Sequence, residues 1–239
     1  MLQNVDQPIQ KQGMDRDGNA LRLSQIRVFD KLPGTICETL MKQSRRVQLR
    51  RGEYLFHQGD VWPHVIFMAM GELRWTILSI GSREQVLFTV RPDDVFWGHS
   101  FFDDEPMPAY LAATKKSTLY LWPRDVVLPV LMRHPEAMWE ITKMHTETMR
   151  RAREIIYGLA FQPVATRLAN LLLESFNEQG ATSVERDLTL NDIAAVVSSS
   201  PEVVCRLLHQ FQSDGILEVT RAHITLHNLH ALEQIVEAE

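Results

Sequence analysis

The chain has 239 residues, enough for one large core or two modest ones. It is 45% hydrophobic and 23% charged, with a formal net charge of −5, the composition of a soluble globular protein. Runs such as "VIFMAM" are far too short to span a bilayer and no secretory signal opens the chain. The two cysteines, Cys37 and Cys205, supply neither a disulfide framework nor a zinc or iron–sulfur set. The cytoplasm is the simplest location, with no membrane partner, and mild acidity does not by itself suggest a nucleic-acid binder.

Residues 1–20 are polar and aperiodic and are expected to form a flexible tail. A sensor domain is expected over 21–135. It opens with "LRLSQIRVFDKLPGTICETLMKQS", short helical pieces broken at Pro33-Gly34. From Val47 to Arg124 short alternating runs are punctuated by Gly52, Gly59, Gly71 and Gly81, the pattern of a small antiparallel barrel or roll. Leu73, Trp75 and Ile77 share one face, and "STLYLW", closed by Pro123, is expected as the last strand.

Over 136–161 the period becomes helical and unusually long. A heptad seam runs through Met138, Ile141, His145, Thr148, Ala152, Ile155 and Leu159, which suits a two-stranded coiled coil in spite of two polar members. A smaller helical domain follows over 162–239. "PVATRLANLLLESF" predicts a helix ended near Gly180. Thr189 and Asp192 have capping-box spacing, and Ser200-Pro201 reads as an N-cap and first-turn pair. Two helices joined by a few small residues make a helix-turn-helix candidate. "ILEVTRAHITL" after Gly215 alternates like a hairpin wing, and "LHALEQIVE" predicts a closing helix.

Taken together, "RRGEYLFHQGD", "IFMAMGELRW", "YGLAFQPVATRLANLL" and "PEVVCRLL" resemble the Crp/Fnr family of transcription regulators from about Leu23 to Leu232. The resemblance implies an α+β fold: an N-terminal antiparallel β-roll of the cyclic-nucleotide-binding type, a long dimerisation helix and a C-terminal winged helix-turn-helix. It also implies a homodimer, double-stranded DNA and RNA polymerase as partners, and no catalytic activity.

The departures from the family pattern concern the effector. Nucleotide-binding members carry a Gly-Glu pair in the roll and, further on, Arg-Ser, which hold the ribose and the cyclic phosphate. Here the stretch reads "RPDDVFWGHSFFDDEPMPAYLAAT". The glutamate position falls on Gly98 or His99 and the arginine position on Met107 or Pro108, and no Lys or Arg lies between Arg91 and Lys115. The base-contacting positions on the long helix fall on Ala152 and Arg153. Cyclic AMP is therefore not expected, and neither is an iron–sulfur cluster, since the N-terminal cysteine cluster is absent. Haem stays open, with His57, His64, His99 and His145 as candidate ligands and His99 the sharpest. The expected effector pocket comprises Trp97, His99, Phe101, Phe102 and Tyr110, with Ala152 and Arg153.

On the second helix of the helix-turn-helix, Glu202, Cys205, Arg206 and His209 recur at i, i+3, i+4 and i+7 and form one face. Arginine can pair bidentately with guanine and glutamate can accept from cytosine. By resemblance, these contacts read the TGA core of a pseudo-palindrome. Ser198, Ser199 and Ser200, with the helix N-terminal amides, are expected to hold a phosphate. Cys205 on the same face is a candidate redox switch. Against DNA stands the charge of residues 162–239: four arginines, no lysine and eleven carboxylates give −7. Two rivals stay open, a scaffold protein whose acidic winged helix binds protein, and a haem-based gas sensor.

Overall fold

The computed structural model describes residues 23–81 and 83–237, so the tail expected over 1–20 lies outside it. The chain divides into two units, one reaching Ile77 and resuming over Phe88–Glu147, the other formed by Leu78–Leu87 and Thr148–Glu239.

In the first unit a 3-10 turn at Phe29–Lys31 leads into α1 (Gly34–Gln43). Pro33 cannot extend a helix behind itself, so the break at Pro33-Gly34 becomes the start of α1. Eight strands follow: β1 (Arg45–Leu49), β2 (Tyr54–Phe56), β3 (His64–Met70), β4 (Leu73–Leu78), β5 (Glu84–Val90), β6 (Val95–Trp97), β7 (Tyr110–Ala113) and β8 (Ser117–Pro123). They build two four-stranded sheets, in the orders β1-β8-β3-β6 and β2-β7-β4-β5. The pairings of β8 with β1 and β3, and of β7 with β2 and β4, are antiparallel.

In the first sheet β3, β6 and β8 are buried on both faces while the edge strand β1 is largely exposed, which explains the unbroken apolar run of β3. Val65, Phe67, Trp97, Tyr120 and Trp122 face a helical layer that includes Phe29, Leu40 and Met41. Trp122 Nε1 donates to the Leu40 carbonyl at 2.6 Å, so this indole is buried without losing its hydrogen bond. The alternate residue Phe96 turns to the second sheet, with its ring 5.7 Å from Trp75 and 6.2 Å from Phe56. Gly71 joins β3 to β4 at φ +99°, and a Cβ there would lie 2.5 Å from the Lys116 carbonyl oxygen. Only glycine fits both that angle and that approach.

A short helix, α2 (Ser100–Asp103), interrupts the stretch between β6 and β7, and α3 (Arg124–Leu131) follows β8; the sequence pattern had signalled neither. α4 then runs over Pro135–Phe161. Its first half belongs to the roll: Ile141 is 2% exposed in the same core as Phe29 and Trp122, and Met138 packs against that core. Arg27 holds Glu140 at 2.9 Å and Glu147 at 2.7 Å, which fixes the N-terminal segment along α4. The seam expected through Met138, Ile141 and His145 is thus taken up by the chain's own core at that end. The large apolar side chains left exposed on α4 are Trp139, Met149, Ile156, Tyr157, Leu159 and Phe161, of which Trp139, Met149 and Ile156 lie one residue further round the helix than the seam.

In the second unit α5 (Val164–Gln179) is closed by Gly180 at φ +58°. Next come β9 (Ser183–Glu185), α6 (Leu190–Val197), α7 (Pro201–Ser213), β10 (Leu217–Val219), β11 (His223–Leu226) and α8 (Leu229–Glu237). The wing has three strands in the order β10-β11-β9, where the alternation in sequence had suggested only a hairpin. Leu168, Phe176, Ile193, Val204, Phe211 and Leu232 meet in one core. The fold is α+β: an antiparallel roll, a long helix and a C-terminal winged helix-turn-helix.

Candidate functional site

Local chemistry sets the helix-turn-helix. The Thr189 hydroxyl accepts from the Asp192 amide at 3.1 Å and Asp192 accepts from the Thr189 amide at 2.9 Å, a complete capping box on α6. α6 stops at Ser198, which adopts a left-handed φ of 55°. α7 starts three residues later, with Ser200 accepting from the Val203 amide at 3.4 Å and Pro201 in the first turn. Val204, Leu208 and Phe211 go to the core.

The opposite face is the predicted one. Glu202, Arg206 and His209 are exposed, while Cys205, Ser199 and Ser200 are half-buried. The Glu202 carboxyl is held below the ordinary glutamate range by the Ser200 hydroxyl first, then by its own backbone amide. Arg206 meets no carboxylate among the described residues. The face divides, however. Glu202 and Arg206 point clear of the domain, whereas Cys205 and His209 line a cavity of about 270 Å³ whose other wall carries Arg186 and Arg221.

A third arginine has a task that no periodicity announces. Arg167 in α5 donates to the carbonyls of Gly158 at 3.1 Å and Gln162 at 2.6 Å, at the end of α4 and the bend after it. It also donates to Val197 at 2.9 Å and Ser198 at 3.3 Å, in the turn of the helix-turn-helix.

The expected effector pocket is only partly assembled. Trp97 and Phe101 belong to the packed core, and Tyr110 stands on the other sheet, 5.1 Å from the Tyr54 ring. Phe102 lies edge-on to Phe101 at 4.9 Å and to His145 at 5.0 Å, and His99 is 5.2 Å from Trp75. Ala152 and Arg153 are exposed on α4. Trp75 Nε1, Trp97 Nε1 and His145 Nε2 are buried without a hydrogen-bond partner. Met107 is 1% exposed, and its Sδ would lie 3.3 Å from a Cβ on Gly98.

His145 titrates below the ordinary histidine range, because burial disfavours its charged form and His99 repels it. His64 shifts the same way, through burial first and then Arg45. Such groups bind fewer protons folded than unfolded, so stability is complete at neutral pH. It is lost as pH falls from about 6.5, the unfolded value, toward the lower folded one. Thermal melts from about pH 8 to pH 5 should therefore show a falling Tm, with a shallower fall in His145→Asn. An unchanged slope in that variant would exclude His145 as a source.

Comparison with known proteins matches residues 46–134 to the cyclic nucleotide-binding domain and residues 166–235 to the Crp-like helix-turn-helix domain. The chain is 25% identical over 198 residues to the CRP-like cAMP-activated global transcriptional regulator of Mycobacterium tuberculosis, covering 81% of this chain and 88% of that one. It is 24% identical over 185 residues to the cyclic AMP receptor protein of Thermus thermophilus, covering 77% and 85%. Among solved structures, a mutant of CooA from Carboxydothermus hydrogenoformans superposes with a TM-score of 0.71 at 20% identity, over 83% of this chain and 90% of that one. With a roll, a long helix and a winged helix-turn-helix in that order, and both domain matches falling on them, the chain belongs to the Crp/Fnr family of transcription regulators.

Proposed function

We propose that the protein is a homodimeric, cytoplasmic regulator that reads a pseudo-palindrome with TGA-like arms through α7 and does not use cyclic AMP. The observation that carries the reading is the presentation of Glu202 and Arg206. They stand one turn apart on a capped helix, exposed, and Arg206 meets no carboxylate among the described residues. Dimer formation along α4 is supported by Trp139, Met149 and Ile156, which are 62%, 73% and 65% exposed. Large apolar side chains repeated along one helix call for a partner helix. Contact with RNA polymerase is part of the same proposal, made on the example of the family.

The residues around Gly98 do not fit a cyclic nucleotide. The two positions on which the phosphate's arginine would fall are a buried thioether, Met107, and an exposed Pro108, neither of them charged, and Asp103, Asp104 and Glu105 are exposed nearby. They do not fit haem either, since a porphyrin must displace Trp75 or Phe102 before the nitrogen of His99 or His145 can reach its iron. The unpartnered nitrogens of Trp75, Trp97 and His145 instead make this corner of the roll the place where an event could alter the seating of α4.

Selection from a random duplex pool at low salt, with no added ligand, tests the proposal. A recovered pseudo-palindrome with TGA-like arms is the expected result. Recovery of half-sites alone would remove the dimer, and recovery of no preferred sequence would overturn ligand-independent reading.

A further inference from the structure

We infer that the cavity between α7 and the wing binds a small organic anion, a phosphate or carboxylate carried on an apolar body, and that its occupant excludes DNA. The exclusion rests on the reading of α7 as the DNA-contacting helix; the binding site does not.

The cavity encloses about 270 Å³, near the lower end for ligand pockets. Arg186 stands just beyond β9, Arg221 in the turn of the wing, and His209 on α7. One guanidinium is anchored, since Arg186 donates to the Thr220 carbonyl at 3.2 Å and keeps its remaining N–H groups for a ligand. Neither Arg186 nor Arg221 meets a carboxylate among the described residues, although the domain carries eleven. Elsewhere in the chain the outcome differs: Arg27 holds two glutamates and Arg124 holds Asp104.

Two uncompensated guanidiniums facing one concavity repel each other, and an anion between them removes that repulsion and accepts charge-assisted hydrogen bonds. The floor is apolar, made by Leu208 and Val219. A backbone phosphodiester would use the cations and leave that floor empty, whereas an anion on a ring or short chain uses both. Cys205 and His209 line the cavity and also belong to the face of α7 that would enter a DNA groove, so a bound molecule stands where DNA must come.

Cys205 doubles as a reporter. Cys37 is 0% exposed and burial pushes its thiol up to about 11, so a maleimide reacts at Cys205. In the full-length protein, phenyl phosphate at roughly millimolar concentration, the range expected for so small a ligand, should slow that alkylation about tenfold at saturation. Phenol should not protect. Arg186→Gln with Arg221→Gln should abolish the protection while Tm is unchanged. Arg221→Gln alone, in an exposed turn, should weaken it measurably if the double variant folds poorly.

An unchanged alkylation rate, protection that persists without both arginines, or protection by random duplex DNA but not by phenyl phosphate would each overturn the site. Phenyl phosphate should also raise the apparent Kd for the selected duplex. Protection of Cys205 with an unchanged Kd would keep the site and overturn the exclusion of DNA.

Discussion

Replacing Arg206 with alanine should erase the protein's choice among DNA sequences while weakening its hold on random duplex far less. The guanidinium is exposed on the outer face of α7, one turn beyond Glu202, and no carboxylate among the described residues occupies it. A bidentate arginine–guanine contact discriminates by about 1–3 kcal/mol per half-site, so a dimer loses roughly twice that. Binding to random duplex depends on phosphate neutralisation, to which a base-reading side chain contributes little. Fluorescence anisotropy on the selected duplex and a scrambled one gives the ratio. Arg206→Lys should recover little of it, because an ammonium cannot form the two-pronged contact. A ratio preserved in Arg206→Ala would mean that some other surface reads the bases.

The second large effect is expected at Arg167, which touches neither the sensor corner nor the outer face of α7. Its guanidinium satisfies four backbone carbonyls, at Gly158, Gln162, Val197 and Ser198. Hydrogen bonds to a charged donor contribute about 1.5–3 kcal/mol when lost singly, and half-buried acceptors can turn partly to water. A net cost of about 2–3 kcal/mol for Arg167→Ala is therefore expected, a Tm decrease of roughly 10 °C in a domain of this size. Calorimetry of the full chain should show the transition of the C-terminal unit moving. Arg167→Lys should recover part of the loss, since one ammonium cannot span four acceptors. No shift in Arg167→Ala would reduce this arrangement to a surface contact.

The features that were legible in the sequence are those set within a few residues. The Thr189–Asp192 capping box, the Ser200-Pro201 start and the Gly180 stop depend on neighbours in the chain, and each stands where its spacing placed it. The roll was legible because its glycine turns and alternating runs are local as well. β9 was hidden because three residues, Ser183–Glu185, are too few for an alternation to register. α3 was hidden by its shortness and by Pro129 inside it.

The candidate sites divide along the same line. Glu202 and Arg206 follow from helical spacing, and they are where it put them. At the N-terminal end of the seam Met138 and Ile141 pack in the chain's own core, because periodicity gives the buried side of a helix but not which body buries it. Tyr110 is separated from Trp97 and Phe101, whose rings stay 5.5 Å apart, because β6 and β7 joined different sheets. Arg167, Arg186 and Arg221 lie 19 and 35 residues apart in sequence, and only folding shows that one is occupied by carbonyls while two share a cavity.

That distribution of arginines bears on how the domain would approach DNA. With Arg167 taken up internally, the positive charge left for an outside partner is Arg186, Arg206 and Arg221, all around α7 and the wing, on a body whose formal charge is −7. Such a body is an electric dipole more than a polycation. Encounters that lead with α7 would be repelled less than the others, so the field would act as an orientational filter. A strongly basic domain adheres first and searches by sliding. This one would dissociate quickly from every wrong contact, and its selectivity would arise as much from short dwell times on random sequence as from long ones on its own site.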